Sequence, residues 1–230
     1  YVMTVVHDLK TPISASLTWV NLLLEGKIAD LSSEVIASLQ RIKSRLEGAI
    51  ELINNILTIS QVKISGKYEA FEEIDLAEMF NDIYIASRVL FTSKNIKFNV
   101  LLSQPKIVIK SDPKWLKLAL SNLISNAQKY TEPNGVVEVK ITEREKDVEI
   151  IVADNGIGIP KNELPKVFSE FYRSSISKQR NIEGTGLGVA LVKEIVTRFG
   201  GNIVVDSPSY LQSEGRPGTQ FTVVLPKRLD

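Results

Sequence analysis

Two kinds of residue in this chain could act together on a phosphoryl group: one histidine near the start and two glycine clusters far downstream. His7 is the only histidine among the 230 residues, and neutral imidazole is a competent nucleophile near pH 7 because its ordinary pKa is about 6.5. The glycines lie within 154–158 and 184–188, where they would let backbone approach a flat ligand or a phosphate. A lone histidine also fits an ordinary surface or core role. The combination raises the hypothesis that His7 accepts a phosphoryl group.

Composition excludes several other classes of site. Lys and Arg number 28 against 27 Asp and Glu, so the net charge of +1 provides no field for a polyanion, and nucleic acid is not expected as a partner. The absence of cysteine excludes disulfides, thiol catalysis and thiolate metal sites. No apolar run approaches the ~20 residues that span a bilayer. Because the chain opens inside an apolar periodicity, we expect a soluble, cytoplasmic core from which an upstream sensor or membrane region is missing.

The first third of the chain is predicted to form a helical hairpin. Apolar residues recur at steps of three and four over 2–24 and again over 35–60, which marks one stripe on each of two helices. The stripes are broader than a single hairpin covers, so a homodimeric four-helix bundle is predicted. Packing against the rest of the same chain is the alternative. A break at 65–67 then divides the chain into a helical domain, 1–66, and a second domain, 67–230.

Pro12 and two serines bear on where these helices begin. Proline removes a hydrogen bond inside a helix, but it is also common at the first helical position. Because the apolar stripe keeps its register on both sides of Pro12, one continuous helix kinked beside His7 is favoured over a helix that starts at Pro12. His7 and Thr11 then share a face. Ser32 or Ser33 could cap the second helix.

The rest of the chain alternates between helix and strand patterns and predicts a mixed α/β domain. A capping residue at Asp75 begins one helix, and Asp112-Pro113 begins another. A third helix is predicted over Leu187–Phe199, where Gly200 and Gly201 end it. Strands are predicted over 97–101, 106–110, 136–142, 148–153, 203–206 and 219–225, the third and fourth as a hairpin.

The helix predicted over Pro113–Tyr130 carries three polar side chains on one face. Asn122, Asn126 and Lys129 recur at i, i+4 and i+7, away from the apolar positions. An asparagine carbonyl oxygen is a hard ligand suited to Mg²⁺, and Lys129 could add positive charge near phosphates. A solvated polar stripe explains the same spacing, so this helix alone does not decide between the two interpretations.

Asp154 and the two glycine clusters have the types needed for a nucleotide site. Asp154 ends an apolar strand, and its carboxylate could accept a hydrogen bond from an adenine amino group, although a simple Asp-Asn-Gly turn is the alternative. The cluster at 184–188 precedes a helix whose N-terminal amides could hold a phosphate. Neither cluster has the spacing of a P-loop or a dinucleotide fingerprint.

The stretch between these clusters has the composition of a mobile lid. Residues 173–183 are polar and charged. Three aromatic residues directly before them could anchor the base of such a lid: Phe168, Phe171 and Tyr172.

Five motifs, in this order along the chain, resemble the cytoplasmic core of sensor histidine kinases. His7-Asp8-Leu9-Lys10-Thr11-Pro12 resembles the H-box, and the segment 122–130 resembles the N-box. Asp154-Asn155-Gly156-Ile157-Gly158 resembles the G1 box, 168–173 the F-box and 184–188 the G2 box. Any one motif would be weak evidence, but the ordered set covers essentially the whole chain. One departure is mild: Asp8 stands where glutamate is commoner.

The resemblance implies a fold and two cofactors. The family has an antiparallel helical hairpin that forms a dimeric four-helix bundle and carries the histidine, followed by a two-layer α/β sandwich with a mixed sheet. That sandwich, shared with gyrase, the ninety-kilodalton heat-shock chaperone and mismatch-repair ATPases, binds ATP with Mg²⁺.

The resemblance also implies which residues hold the cofactors. Asn126 would ligate Mg²⁺, and Asn122 and Lys129 would support the phosphates. Tyr130 would flank the base, and Asp154 would accept a hydrogen bond from adenine. The other implied cofactor-binding residues are Gly156, Gly158, Gly184, Gly186, Leu187 and Gly188.

The resemblance also implies the chemistry. His7 would attack the γ-phosphate, Asp8 would be the base on its other ring nitrogen, and Arg173 would contact the γ-phosphate. Helix geometry does not derive the role of Asp8, because adjacent residues do not face each other. The phosphoryl group would pass to an aspartate of a response regulator, and Thr11 would serve dephosphorylation of that partner. Alternatively, Thr11 only bonds to the carbonyl of His7.

Two other functions remain open at the level of sequence. An ATPase or serine kinase on the same nucleotide-binding scaffold would leave the motif around His7 unexplained. A dimeric scaffold that binds nucleotide without turnover would keep Asn126, Asp154 and the glycines for binding alone.

Overall fold

The computed structural model describes residues 2–28, 30–64 and 71–227, with side chains described from residue 9 onward in the first helix and up to residue 62 in the second. The predicted boundary between residues 66 and 67 therefore lies outside the described residues. Within the described ranges, no helix combines the length and the apolar character needed to cross a bilayer.

The helical hairpin is present as predicted. Helix α1 spans Val2–Leu24 without interruption at Pro12, which confirms one helix across the proline. Helix α2 spans Ser33–Ile64, and Ser32 Oγ accepts a hydrogen bond from the Val35 amide at 3.5 Å, so Ser32 rather than Ser33 is the capping residue. The helices run antiparallel, and Lys10 Nζ donates across them to Asn54 Oδ1 at 3.0 Å.

The second part of the chain has a five-stranded mixed sheet and a separate strand pair. The strands are β1 Glu72–Asp75, β2 Lys97–Leu102, β3 Val108–Ser111, β4 Val136–Glu143, β5 Asp147–Asp154, β6 Asn202–Asp206 and β7 Gln220–Pro226. The order in the large sheet is β2-β4-β5-β7-β6. Strands β2 and β4 are parallel, and the other neighbours are antiparallel. The mixed sheet and the β4–β5 hairpin are confirmed.

Strand β1 is an element that sequence patterns did not indicate. Its residues, 72–75, are mostly acidic and too short to show an alternation. They become a strand because β3 pairs with them, with Ile74 opposite Ile109. Long-range pairing rather than local propensity thus decides this element.

In the described part of the chain, four α-helices accompany the sheet, α3 Leu76–Ser93, α4 Pro113–Tyr130, the short α5 Ser175–Gln179 and α6 Gly188–Arg198, and Lys161–Lys166 form a 3-10 helix. The predicted caps are confirmed, because Asp75 accepts from the Ala77 amide and Asp112 from the Lys114 amide, both at 2.9 Å. Helices α4 and α6 pack on the sheet in a two-layer arrangement. The side chains between the layers are almost fully buried. From the helices these include Leu116, Leu120, Leu123, Leu191, Val192 and Ile195, and from the sheet Val148, Ile150 and Val223.

The hairpin also packs on the α/β domain. Ile59 and Val62 of α2 are buried in the same apolar cluster as the sheet and its helices. At the far end of the contact, Arg198 Nη1 of α6 donates to the carbonyl of Val62 at 2.6 Å. This contact places the end of α2 beside the last turn of α6.

Candidate functional site

A cavity of about 390 Å³ opens between α4, the end of β5 and the residues that lead into α6. Its size suits a small organic ligand. Most of the cofactor-binding residues predicted from the sequence line it, namely Asn122, Asn126, Lys129, Tyr130, Asp154, Gly158, Gly184, Gly186 and Gly188, together with Arg173. The tertiary fold thus brings together side chains that are up to 66 positions apart in the sequence.

The polar face of α4 meets the glycines at the start of α6. Asn122 Nδ2 donates to the carbonyl of Leu118 at 2.9 Å, which leaves Asn122 Oδ1 for the cavity side. A Cβ on Gly188 would lie 2.9 Å from Asn122 Oδ1 and 3.7 Å from Asn126 Nδ2. Any larger residue at 188 would fill the space in front of both amides. The face is therefore a wall of the cavity rather than a solvated stripe.

Asp154 is the buried carboxylate of this cavity. It is 4% exposed, and its Oδ1 accepts from the amides of Gly156 at 2.8 Å and Thr219 at 3.2 Å. Burial raises its pKa to about 7, and the two amide hydrogen bonds act in the opposite direction. A carboxyl held by backbone donors through one oxygen can present the other to a donor on a ligand.

Close backbone contacts explain two of the glycines. A Cβ on Gly156 would lie 2.2 Å from the carbonyl oxygen of Tyr130, so the chain after Asp154 can pass the end of α4 only as glycine. Gly186 has φ +73°, and a Cβ there would lie 2.7 Å from backbone atoms of Phe171 and Tyr172. This is a left-handed conformation that side chains rarely adopt.

Lys129 brings positive charge to the cavity. Its Nζ lies 5.7 Å from the centroid of the Tyr130 ring, and a Cβ on Gly184 would meet that Nζ at 2.5 Å. Burial lowers the pKa of Lys129, Arg173 lowers it further, and the charges of Glu51 and Glu183 raise it. A partly desolvated ammonium next to a guanidinium is a favourable place for an anionic group.

The segment predicted as a lid, residues 173–183, contains α5, and a hydrogen bond joins its two ends. Arg173 Nη2 donates to the carbonyl of Ile182 at 2.5 Å, so the guanidinium joins the two ends of the segment 173–183. Arg173 Nε is buried without a hydrogen-bond partner among the described residues, which makes it a donor that an anionic ligand could satisfy.

Glu163 holds the residues on both sides of Arg173. Its carboxylate accepts from Tyr172 Oη at 2.5 Å and from the Ser175 amide at 2.9 Å. The Ser175 hydroxyl also donates to this carboxylate, at 2.5 Å. The hydrogen bond from that hydroxyl is the largest cause of the lowered pKa of Glu163, and those from Tyr172 and the Ser175 amide lower it further. Of the aromatic residues predicted to anchor the lid, Phe168 packs edge-on against Phe221 with centroids 6.4 Å apart. Phe171 does not serve as an anchor, because it is 59% exposed.

Some predicted residues lie elsewhere. Leu187 was expected to bind the cofactor, but its side chain is 1% exposed, packs in the apolar core and does not line the cavity. Gly156 packs against the carbonyl of Tyr130 and does not line the cavity. Thr11 lies exposed on α1, away from the cavity. The side chains of His7 and Asp8 lie outside the described part of α1.

The cavity is also lined by residues that were not predicted as site residues, and three of them matter for its chemistry. Thr219 supplies the second amide to Asp154, and its position directly after Gly218, at the start of the last strand, was the available signal. Thr185 lies between two predicted glycines. Glu51 comes from α2, and no local pattern indicates it.

Comparison with known proteins agrees with the motif resemblance. Residues 111–229, just over half of the chain, match the family described as histidine kinase-, DNA gyrase B- and HSP90-like ATPase. The circadian input-output histidine kinase CikA of Synechococcus elongatus is 31% identical over 231 residues, which cover 99% of this chain and 30% of CikA. The chain thus spans less than a third of that relative.

Two solved structures share the fold over nearly the whole chain. The crystal structure of full-length ShkA in complex with AMPPNP has a TM-score of 0.77 at 21% identity, covering 100% of this chain and 46% of ShkA. The crystal structure of histidine kinase ThkA in complex with the response regulator protein TrrA has a TM-score of 0.69 at 20% identity, covering 98% of this chain and 63% of ThkA. Both the hairpin and the α/β domain therefore have counterparts.

Proposed function

The chain belongs to the sensor histidine kinases, with the ATP-binding domain they share with gyrase and the HSP90 chaperone, and from this we propose that it phosphorylates its own His7 from Mg-ATP and transfers the phosphoryl group to an aspartate of a response regulator. Residues 1–66 would serve dimerisation and phosphotransfer, and residues 67–230 would bind ATP. The observation that carries the proposal is the cavity in which Asp154, the polar face of α4 and the glycines 184–188 meet.

The cavity suggests how ATP would lie. The Asp154 carboxyl would accept a hydrogen bond from the adenine amino group, with Tyr130 beside the base. The phosphates would then extend towards Lys129 and the N-terminus of α6, where positive charge and free backbone amides favour an anion. Arg173 would reach the γ-phosphate through its guanidinium and stabilise the charge that spreads over the transferring group.

The residues fit a magnesium ion that is held mainly by the nucleotide. No group of three or more acidic or histidine side chains able to hold a metal occurs among the described residues. The amide of Asn126, supported by Asn122, offers an oxygen of the kind Mg²⁺ prefers, and this ion usually keeps several waters and binds substrate phosphates. Bound there, it would neutralise part of the phosphate charge.

Phosphoryl transfer requires the histidine to approach the cavity. A ring nitrogen of His7 would form a bond to the γ-phosphorus while the bond from that phosphorus to the β,γ-bridging oxygen breaks, and ADP leaves with the electron pair. The proton on the other ring nitrogen would pass to Asp8, a role that rests on the family resemblance. The phosphoryl group of this phosphoramidate would then pass to the aspartate carboxylate of the response regulator.

Dimerisation is proposed from the surface of the hairpin. Leu9 is 52% exposed and Ile42 is 46% exposed, although both belong to apolar stripes. Packing against the α/β domain, the alternative for these stripes, covers one side of α2 between Ser44 and Val62 and leaves such side chains exposed. A second copy of the hairpin would bury the rest in a four-helix bundle.

Replacement of Ile42 by glutamate is therefore expected to convert the dimer into monomer, because it would place an unpaired charge in the seam. Light scattering at micromolar concentration measures this. Gln40→Glu is the control, since residue 40 is a polar, exposed position near it on the same helix. A wild-type protein that is monomeric at these concentrations, or an unchanged Ile42→Glu dimer, would contradict the proposed bundle.

Thr11 is proposed to assist dephosphorylation of the regulator. It lies one helical turn after residue 7 and is exposed, so its hydroxyl could orient a water that attacks a docked phosphoaspartate. Thr11→Ala is expected to retain labelling of His7 and phosphotransfer but to slow the loss of phosphate from the regulator by about tenfold, the effect of one lost hydrogen bond of about 1.4 kcal/mol. The measurement is regulator dephosphorylation with ADP present. Equal rates for both proteins would leave Thr11 with a structural role alone.

Incubation with γ-labelled ATP and Mg²⁺ tests the proposed function as a whole. Base-stable, acid-labile label on the protein is the expected result. Label on a serine, or release of phosphate without labelling, would favour the ATPase or serine kinase alternative. Nucleotide binding with neither outcome would indicate a scaffold without turnover.

A further inference from the structure

One face of α2 is bound to the entrance of the nucleotide cavity. Ser44 Oγ donates to Glu183 Oε2 at 2.5 Å, and Asn55 Nδ2 donates to Thr185 Oγ1 at 3.5 Å. Together with Val62, whose carbonyl accepts from Arg198, these residues are spaced so that they fall on one side of the helix. The polar contacts therefore hold α2 in a defined position along the lid and the start of α6.

Glu51 lies on the same side of α2, between Ser44 and Asn55, and lines the cavity. Its charge acts on residues inside, since it raises the pKa of both Lys129 and Tyr130. Lys129 is the cation proposed to receive the triphosphate. The helical hairpin thus contributes an acidic side chain to the part of the cavity where negative charge would bind.

A carboxylate in this position has two effects on an anionic ligand. It repels the phosphates directly, and it partly neutralises Lys129. Because Glu51 is exposed at the cavity entrance, water and salt screen both effects, so the influence is moderate rather than prohibitive. Adenosine, which has no phosphate charge, would not experience either effect.

We propose that Glu51 is an affinity-setting residue of the nucleotide site: while α2 packs on the lid, its carboxylate competes with the triphosphate for Lys129 and weakens ATP binding. The inference rests on the proposed function, because it requires that the cavity binds ATP. It adds that packing of α2 on the lid weakens ATP binding through Glu51. Because such coupling is reciprocal, bound ATP would weaken the packing of α2 on the lid by the same factor.

Binding measurements on three variants test the proposal. Glu51→Gln removes the charge at nearly constant shape and is expected to bind Mg-free ATP about fivefold more tightly than the wild type, the effect of roughly one screened charge interaction. Glu51→Asp keeps the charge and is expected to bind like the wild type. Glu47→Gln is the matched control, because Glu47 lies one turn earlier on α2 and pairs with Lys43 at 3.9 Å outside the cavity.

A charge series separates this role from a structural one. Calorimetric titration with ATP, ADP and adenosine should show the gain of Glu51→Gln falling from ATP to ADP and vanishing for adenosine. The gain for ATP should also shrink in 0.5 M salt, where charges are screened over a few ångströms. Equal gains for all three ligands would mean that the substitution only loosens α2, and would overturn the proposal.

The proposed function can fail separately from this inference. If the wild type binds no adenine nucleotide, both are overturned. If the wild type binds ATP but Glu51→Gln binds it equally or more weakly, Glu51 is not a competitor of the triphosphate, and the proposed function stands without it.

Discussion

His7→Gln is expected to abolish formation of base-stable, acid-labile label on the protein, while nucleotide affinity remains unchanged. The reason is chemical: such label is a phosphoramidate of imidazole, and the chain contains no other histidine. Glutamine is accepted well within a helix and offers no nucleophilic ring nitrogen. The measurement is labelling from γ-labelled ATP with Mg²⁺, followed by separate treatment with acid and base.

A matched binding experiment completes this test. Calorimetric titration with ATP should give the same affinity for wild type and His7→Gln, because no residue in the described part of α1 lines the cavity. Base-stable label that persists in the variant would remove His7 from the mechanism. A loss of both label and binding would mean that the substitution has disturbed the fold.

Asp154→Asn is expected to weaken ATP binding by about 100-fold or more. The amide oxygen can still accept from Gly156 and Thr219, so the turn is preserved. The second oxygen becomes an NH₂ donor, however, and would face the adenine amino group, which is also a donor. A lost hydrogen bond and two unsatisfied donors cost about 1–3 kcal/mol each, and 1.4 kcal/mol corresponds to a factor of ten.

The same substitution should stabilise the protein without nucleotide, and increasingly so as the pH rises. The pKa of Asp154 is raised from 3.8 to about 7 by burial, so the folded state binds the proton more tightly than the unfolded state. The wild type therefore loses free energy of unfolding as the pH rises from about 4 to 7, by up to about 4 kcal/mol. Asparagine has no such titration.

Urea unfolding of both proteins at pH 5 and pH 8 measures this difference. The advantage of Asp154→Asn should be larger at pH 8. An advantage that is equal at both pH values would mean that Asp154 does not carry the raised pKa. Affinity for ATP within a factor of three of the wild type would show that this carboxyl does not contact adenine.

Local patterns in the sequence determined most of the elements and the chemistry-bearing residues. The apolar steps of α1 continued across Pro12, the caps at Asp75 and Asp112 began their helices, and the spacing of Asn122, Asn126 and Lys129 placed them on one face. Each of these depends on neighbours within a few residues, which is the range over which helix periodicity and capping act.

The tertiary structure alone decided which of these residues form one site. Strand β1 exists because β3 pairs with it, and Leu187 is buried because the helix after it packs on the sheet. Glu51 reaches the cavity only because α2 docks on the lid, a contact between residues more than a hundred positions apart. Such contacts depend on the closure of long loops and the packing of whole elements, and no pattern within a helix or a strand records them.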